Sequence, residues 1–424
     1  MLAAGTESAD FPGINKLGTG VIRSANSGGI DGFVSEISND GSTLINSTYI
    51  GTSGIDQVFG VKFDKKGFPY IMGQSTGNFP INKAATSPTI YSNPGAKQFI
   101  AKLQPDLSAY IYSTVFGSAA STPNISPVAF LVDRCENVYV SGWGGWFGQN
   151  TPLQNPYNSA GTFGMPTTRN ALKTNTDGKD FYFIVLKRDA ADTLYATFFG
   201  ENNNMQQFGG GTDHVDGGTS RFDKNGVIYQ AICANCNIGG QIAFPTTAGS
   251  WSPNNPSASG AQCNLAMLKI AFNLAGVGSG IKPSINGASG DSSGCVPLLV
   301  NFADTIGNGK TYIWYFGDGS HPDTTTVPSD SHQYNNIGFY TDTLISIDSS
   351  TCNIQDTSYC HIRVGDHLAQ LNFNVVKLPP CVAFQYQFNN TSFTLLPPPP
   401  LSITNLSFGI LAMAQYRIQL VLPV

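Results

Sequence analysis

Five groups of residues have types and spacings that could do chemistry. Cys233-x-x-Cys236, with Cys263 downstream and His214 upstream, offers three thiolates and an imidazole, the donor set of a tetrahedral zinc site. No second CxxC pair accompanies it, and the same cysteines could instead close a disulfide from Cys263 to Cys233 or Cys236. Asp64, Asp133 and Asp223 could offer carboxylates to calcium, yet Asp64-Lys65-Lys66-Gly67 and Asp223-Lys224-Asn225-Gly226 read better as hairpin turns in which Gly or Asn takes a positive φ. Gly290-Asp291-Ser292-Ser293-Gly294 spells GxSxG, but a nucleophile elbow needs a strand before it and a helix after it, and this one lies in a Gly/Ser-rich stretch. His321, His332 and His361 pair with no nucleophile in sequence context. Trp143, Trp146 and Phe147, interleaved with glycines, could form a flat platform for sugar rings; the competing reading is core, because Phe147 follows Phe79 by the step that separates Phe79 from Phe11. The expectation is therefore no catalytic residue, no metal and no cofactor, with Trp143 and Trp146 as candidate glycan contacts.

The elements that must carry these residues are strands. Charged residues make up 12% of 424, so helix formers and i,i+4 pairs are scarce, while 47 Gly, 25 Pro and many aromatics suit short strands joined by turns. An all-β chain of two or three domains is predicted. Lys and Arg number 22 against 27 acids and form no runs, which excludes a phosphate-neutralising stripe and hence nucleic acid. Met1 to Gly5 lacks the charged and apolar regions of a signal peptide. The stretch from Leu406 to Val424 is apolar but carries Gln415, Arg417 and Gln419, so no membrane span is predicted. Eight cysteines in a chain poor in charge fit an exported protein with disulfides.

A repeat runs through the first two thirds. Asp31-Gly32-Phe33, Ser47-Thr48-Tyr49-Ile50-Gly51, Phe63-Asp64-Lys65-Lys66-Gly67 and Asn78-Phe79-Pro80 make one copy. Phe99, Ser113 to Gly117, Val132-Asp133 and Val138 to Gly142 make the second; Phe181, Ala196 to Gly200, Phe222 to Gly226 and Phe244-Pro245 make the third. Each copy holds four β-prone runs, in the first Phe33–Ser38, Thr43–Ile50, Gln57–Phe63 and Phe68–Gly73, and four strands per repeat is a propeller blade. The run from Ser47 to Gly51, then Asp64 to Gly67, then Gly73-Gln74-Ser75-Thr76-Gly77-Asn78-Phe79-Pro80 resembles the SBBP β-propeller repeat of secreted and surface bacterial proteins. Gly5 to Pro12 matches the end of such a repeat and Cys263 to Ile270 the first strand of another, so residues 1–281 are expected to form an incomplete propeller that starts inside a blade. This resemblance favours a disulfide from Cys263 over zinc.

Residues 282–294, rich in Gly, Ser and Asn, read as a linker. Beyond it, alternating Leu298, Val300 and Phe302, then Trp314-Tyr315-Phe316-Gly317-Asp318-Gly319-Ser320 and His332-Gln333-Tyr334, resemble a PKD domain. The resemblance implies an immunoglobulin-like β-sandwich over 295–366, with Trp314, Phe316, Gly317, Asp318, Gly319, His332 and Tyr334 as its motif residues. Asp342 and Ser346 depart from it, standing on a face where alternating Val is common. Cys295 and Cys352, at opposite ends of the module, are expected to pair. Residues 367–392 resemble the start of a second such module, and 393–424 read as an out-of-frame or disordered tail following a frame shift between about Ser392 and Ser407. Together the resemblances imply a non-catalytic secreted or cell-surface fragment, of the kind exported by the type IX route in gliding bacteria, that binds a glycan or protein. The alternative is a set of accessory modules of a secreted hydrolase.

Overall fold

The computed structural model describes residues 1–144, 160–201, 212–215, 220–236, 244–253 and 264–366, with four short strands between 369 and 394. All described elements are strands apart from one 3-10 turn at Arg188–Ala190. No helix among them is long and apolar enough to cross a membrane. The chain divides into two units, Met1–Gly278 with Ser349–Ile354, and Ser279–Asp348 with the residues from Gln355 onward.

The first unit holds four antiparallel sheets. In chain order they are β1 (Leu2–Thr6), β2 (Asp31–Ile37) and β3 (Leu44–Ile50); β4 (Asp56–Phe63), β5 (Pro69–Ser75), β6 (Gln98–Leu103) and β7 (Tyr110–Phe116); β8 (Ile125–Val132), β9 (Val138–Gly144), β10 (Phe181–Leu186) and β11 (Thr193–Phe199); and β12 (Thr212–His214), β13 (Ser220–Phe222), β14 (Val227–Cys236) and β15 (Asn264–Ala271). The predicted strands are present, but the repeat is not the sheet. The first copy's β2 and β3 join β1, whereas its β4 and β5 join β6 and β7 of the next copy. Each sequence repeat therefore straddles two sheets. The turns at 64–68, 133–137 and 223–226 keep the third and fourth strands of each copy hydrogen-bonded to each other, while the second and third strands, joined in the first two copies through 51–55 and 117–124, lie in different sheets.

Hydrophobic burial stacks the sheets. Val34 and Ile50 meet Val58, Ile71 and Phe99 in one core. Tyr70, Met72 and Ile100 meet Phe130, Val140 and Tyr182 in the next, and Phe181 and Phe183 meet Ile228 and Ile232 in a third. At about 1.5–3 kcal/mol for each fully buried large apolar side chain, these contacts are what align the sheets. β1, β4, β8 and β13 pack in succession, so the sheets form a curled array.

The second unit is a two-sheet sandwich. One sheet runs β17 (Ala288–Ser289), β16 (Ile281–Ile285), β19 (Leu298–Asp304), β22 (Ser329–Tyr334); the other runs β18 (Ser293–Cys295), β24 (Gln355–Gly365), β23 (Gly338–Ile347), β20 (Thr311–Tyr315), β21 (Asp323–Thr325). Val300, Phe302, Trp314, Leu344 and Val364 form its core. The stretch 282–294 is thus not a linker. Asn286 and Gly287 both adopt positive φ and fold β16 onto β17 as a two-residue hairpin, a signal that the low apolar content of the stretch had masked. The register of β23 buries Asp342 and Ser346, the two departures from the PKD pattern. Each has a partner: Tyr334 Oη donates to Asp342 Oδ1 at 2.8 Å, and Ser346 Oγ to Asp304 Oδ2 at 2.8 Å. Beyond the sandwich, β26 (Phe373–Lys377) pairs with β27 (Tyr386–Asn390), and β25 (Ala369–Gln370) with β28 (Phe393–Thr394). The tail from 395 lies outside the described residues.

The cysteine pairing differs from expectation. Cys352 is bonded to Cys135, 217 residues away with Cα atoms 5.8 Å apart, and both belong to the first unit. Cys295 cannot be its partner; its Sγ instead points to the Asp366 carbonyl oxygen at 3.4 Å. Asn353 next to Cys352 clamps Val277, accepting from its N–H at 3.0 Å and donating to its carbonyl at 2.9 Å, which holds the 349–354 loop beside Cys135. A cross-link spanning so long a loop removes much unfolded-state entropy, so reduction is expected to cost about 2–5 kcal/mol. Thermal melts with and without reductant check this: the wild type should lose stability on reduction, and a Cys135→Ser, Cys352→Ser double variant should be reductant-insensitive.

Candidate functional site

All long connections of the first unit emerge from one end of its sheets, where β3, β7 and β11 finish and β4 and β8 begin. A recurring arrangement sits there. Gly51, Gly117 and Gly200 each follow an outer strand, and each is flanked by two polar side chains: Asp31 and Asp56, Gln98 and Asn124, Asp180 and Asp213. A Cβ at Gly51 would lie 2.9 Å from both carboxylates, and one at Gly117 would lie 2.8 Å from Gln98 and 2.6 Å from Asn124. Gly117 and Gly200 also have φ of +124° and +153°, which disfavours any side chain there.

The flanking side chains hold backbone. Asp31 Oδ2 accepts from the Ser27 N–H at 2.7 Å, Asp56 Oδ2 from the Thr52 N–H at 2.7 Å, and Asn124 Oδ1 from the Ser118 N–H at 2.8 Å. Burial raises the Asp56 carboxyl above its ordinary range, and the neighbouring Asp31 adds to this. Burial also raises Asp180 to about 6, against the pull of Lys173, whose Nζ sits 2.5 Å from Oδ1. Sequence reasoning missed these strand-end acids; the fixed position of Gly51, Gly117 and Gly200 in the repeat was the signal that could have found them. A cavity of about 510 Å³ opens beside the first station, lined among others by Arg23, Thr52, Asn78 and Tyr110. Arg23 Nη1 donates to the Gly51 carbonyl at 2.7 Å, as Lys173 Nζ does to that of Gly200 at 3.0 Å.

The turn aspartates share one geometry. Asp64 Oδ1 accepts from the N–H groups of Lys66 and Phe68, Asp133 Oδ1 from Cys135 and Asn137, and Asp223 Oδ1 from Asn225 and Val227, all at 2.7–3.0 Å. Gly67 and Gly226 supply the positive φ in two turns and Glu136 in the other. Among the described residues no group of three or more His, Cys, Asp or Glu could hold a metal ion.

The remaining candidates fall as follows. His214 sits opposite Cys233 in the register of β12 on β14. The side chain of Cys236 and all of Cys263 lie outside the described residues, as do Trp146 and Phe147. Trp143 is half-buried in β9, its ring 5.6 Å from that of His214. In the sandwich, Trp314 is fully buried and its Nε1 donates to Thr325 Oγ1 at 3.0 Å. Phe316 stacks on His332 with ring centroids 4.1 Å apart, and His332 Nε2 lies 2.7 Å from Asp318 Oδ2. Tyr334 stands edge-on to His332 at 4.8 Å. Gly317 has φ +69°, and a Cβ there would meet the Thr341 carbonyl oxygen at 2.7 Å; Gly319 has φ +87°. These motif residues bind β20, β22 and β23 together.

A PKD domain family model matches residues 281–364. Residues 281–364 are a PKD domain. Its first matched residue is the first residue of β16, so the domain includes the hairpin that composition assigned to a linker. No curated protein matches the chain in sequence. Among solved structures the chain is similar to the extracellular domain of the two-component system BT4673 from B. thetaiotaomicron, at 12% identity over 74% of this chain and 37% of that one, TM-score 0.15. A second structure of that extracellular domain, there described as a one-component system, aligns at 9% identity over 80% of this chain and 54% of that one, TM-score 0.20. The extracellular domain of BT3049 from the same organism aligns at 10% identity over 80% and 48%, TM-score 0.16. The chain thus spans between 37% and 54% of the length of those domains.

Two outcomes follow from this geometry. Gly200→Ala should destabilise the first unit by about 2–3 kcal/mol, since the new methyl meets Asp180 and Asp213 in a disfavoured backbone conformation; chemical denaturation measures it. In the PKD domain, burial raises Asp342 to about 6, and Tyr334 and Cys360 point at its oxygens. Between the unfolded value near 3.8 and about 6, the folded state holds a proton that the unfolded state has released. Sandwich stability should therefore fall as pH rises from 4 to 6, and Asp342→Asn should flatten that slope and gain of the order of 1 kcal/mol at pH 7. Hydrogen exchange of β20 and β23 across that range reads it out.

Proposed function

We propose that this chain is part of an exported, non-catalytic surface protein whose β-repeat sheets and PKD domain present loops to an extracellular glycan or protein, as an adhesive or spacer. The observation that carries this reading is the Cys135–Cys352 disulfide, a bond that persists in oxidising compartments outside the cytoplasm. The PKD domain and the use of the loop-end carboxylates as backbone anchors support it. The SBBP-like repeat, expected over residues 1–281 as an incomplete propeller, extends the reading to surface proteins of gliding bacteria carried by the type IX route. Trp143 remains a proposed glycan contact, since its ring is half-buried at the end of β9 where the long connections emerge. A co-sedimentation panel of insoluble polysaccharides and immobilised extracellular proteins tests the proposal. Retention on at least one surface is expected, without release of soluble sugar or peptide. Retention on none, or turnover of any of them, would overturn it; turnover would return the hydrolase reading.

A further inference from the structure

β15 is a strand missing its neighbour. By position in the repeat it corresponds to β6 and β10, each held between two strands, β5 and β7 or β9 and β11. β15 pairs with β14 alone, and no described residue pairs with its other edge. The consequence is visible in burial. All six residues of β6 and of β10 are buried, whereas β15 alternates, leaving Leu265 at 73% and Met267 at 79% exposed. A groove of about 450 Å³ lies beside it, lined by every residue from Asn264 to Lys269. Consecutive strand residues point to opposite faces, so six in a row can line one groove only if it runs along the strand's edge, over its backbone. Phe199 and Phe244 line it as well, with Trp251, which is fully exposed.

We propose that the free edge of β15 is a strand-addition site that takes an extended segment of another protein, in the place that β7 and β11 hold beside β6 and β10. The sister sheets state what fits. β7 and β11 pair antiparallel with β6 and β10 over six positions each, and read Tyr-Ile-Tyr-Ser-Thr-Val-Phe and Thr-Leu-Tyr-Ala-Thr-Phe-Phe. The segment is therefore uncharged, with aromatic and aliphatic residues around a central Ser/Ala-Thr pair, and the described lining offers one cation, Lys269, and no acid. Main-chain hydrogen bonds along the edge supply affinity, and the apolar walls select side chains; a saccharide has no matching ladder of N–H and C=O groups.

This names a partner for the surface-binding reading above and rests on it. The test titrates the full chain into a labelled peptide of the β11 sequence flanked by lysines, followed by fluorescence anisotropy. Saturable binding is expected, abolished by N-methylation of alternate peptide amides and weakened at least tenfold by Met267→Glu, a change at an exposed position that should leave the circular dichroism spectrum intact. No binding, equal binding of the N-methylated peptide, or indifference to Met267→Glu would overturn the proposal. A concentration-dependent dimer dissolved by Met267→Glu would give the groove to a second copy and overturn the assignment to another protein. If the peptide fails while retention in the co-sedimentation panel persists, only this inference falls; retention on no surface removes the broader reading, whatever the peptide does.

Discussion

The sheets of the first unit hold together because strands from two successive repeats must be buried on both faces at once. β6 and β10 show this most clearly: Phe99 faces one core and Ile100 the next, and Phe181 and Tyr182 divide in the same way. Since the later strands of each copy join the sheet in which the next copy begins, no repeat can complete its own core. Neighbouring sheets are thereby linked both by the covalent chain and by apolar burial. Where the succession stops, at β15, the same physics leaves an unpaired edge and exposed apolar side chains.

Charge is scarce in this chain, and much of it is spent on architecture. Lys102 is buried between Asp64 and Glu136, its Nζ at 2.9 and 2.8 Å, and lies about 5 Å from the rings of Phe68 and Tyr70. Arg23 and Lys173 occupy matching places beside the glycine stations. The aspartates of the turns accept paired backbone N–H groups that the sharp reversals leave without sheet partners. Such carboxylates are held by fixed backbone donors, one turn to each copy of the repeat.

The PKD domain repeats the lesson in another fold. Its motif residues are the fastening of three strands: Gly317 and Gly319 allow the turn, Asp318 holds His332, and His332 stacks on Phe316. Asp342, Tyr334 and Cys360 form a small polar knot on a face that would ordinarily be aliphatic. Burial pushes the Cys360 thiol up to about 12, so it stays protonated and unreactive there.

The sequence by itself determined the strand content, the approximate limits of the strands, the turn chemistry of Asp64, Asp133 and Asp223, and the PKD motif. These are local matters, set by alternation, by glycine's access to positive φ and by side chains reaching two to four residues along the chain. It misjudged residues 282–294, where the Asn286-Gly287 hairpin outweighed a composition poor in apolar residues. Only the tertiary structure decided which strands share a sheet, which cysteine meets Cys352, and that Asp31 and Asp56, or Asp180 and Asp213, converge on a glycine. Each of those depends on segments far apart in the chain being brought together by core burial, and no local pattern encodes which distant face will be buried against which.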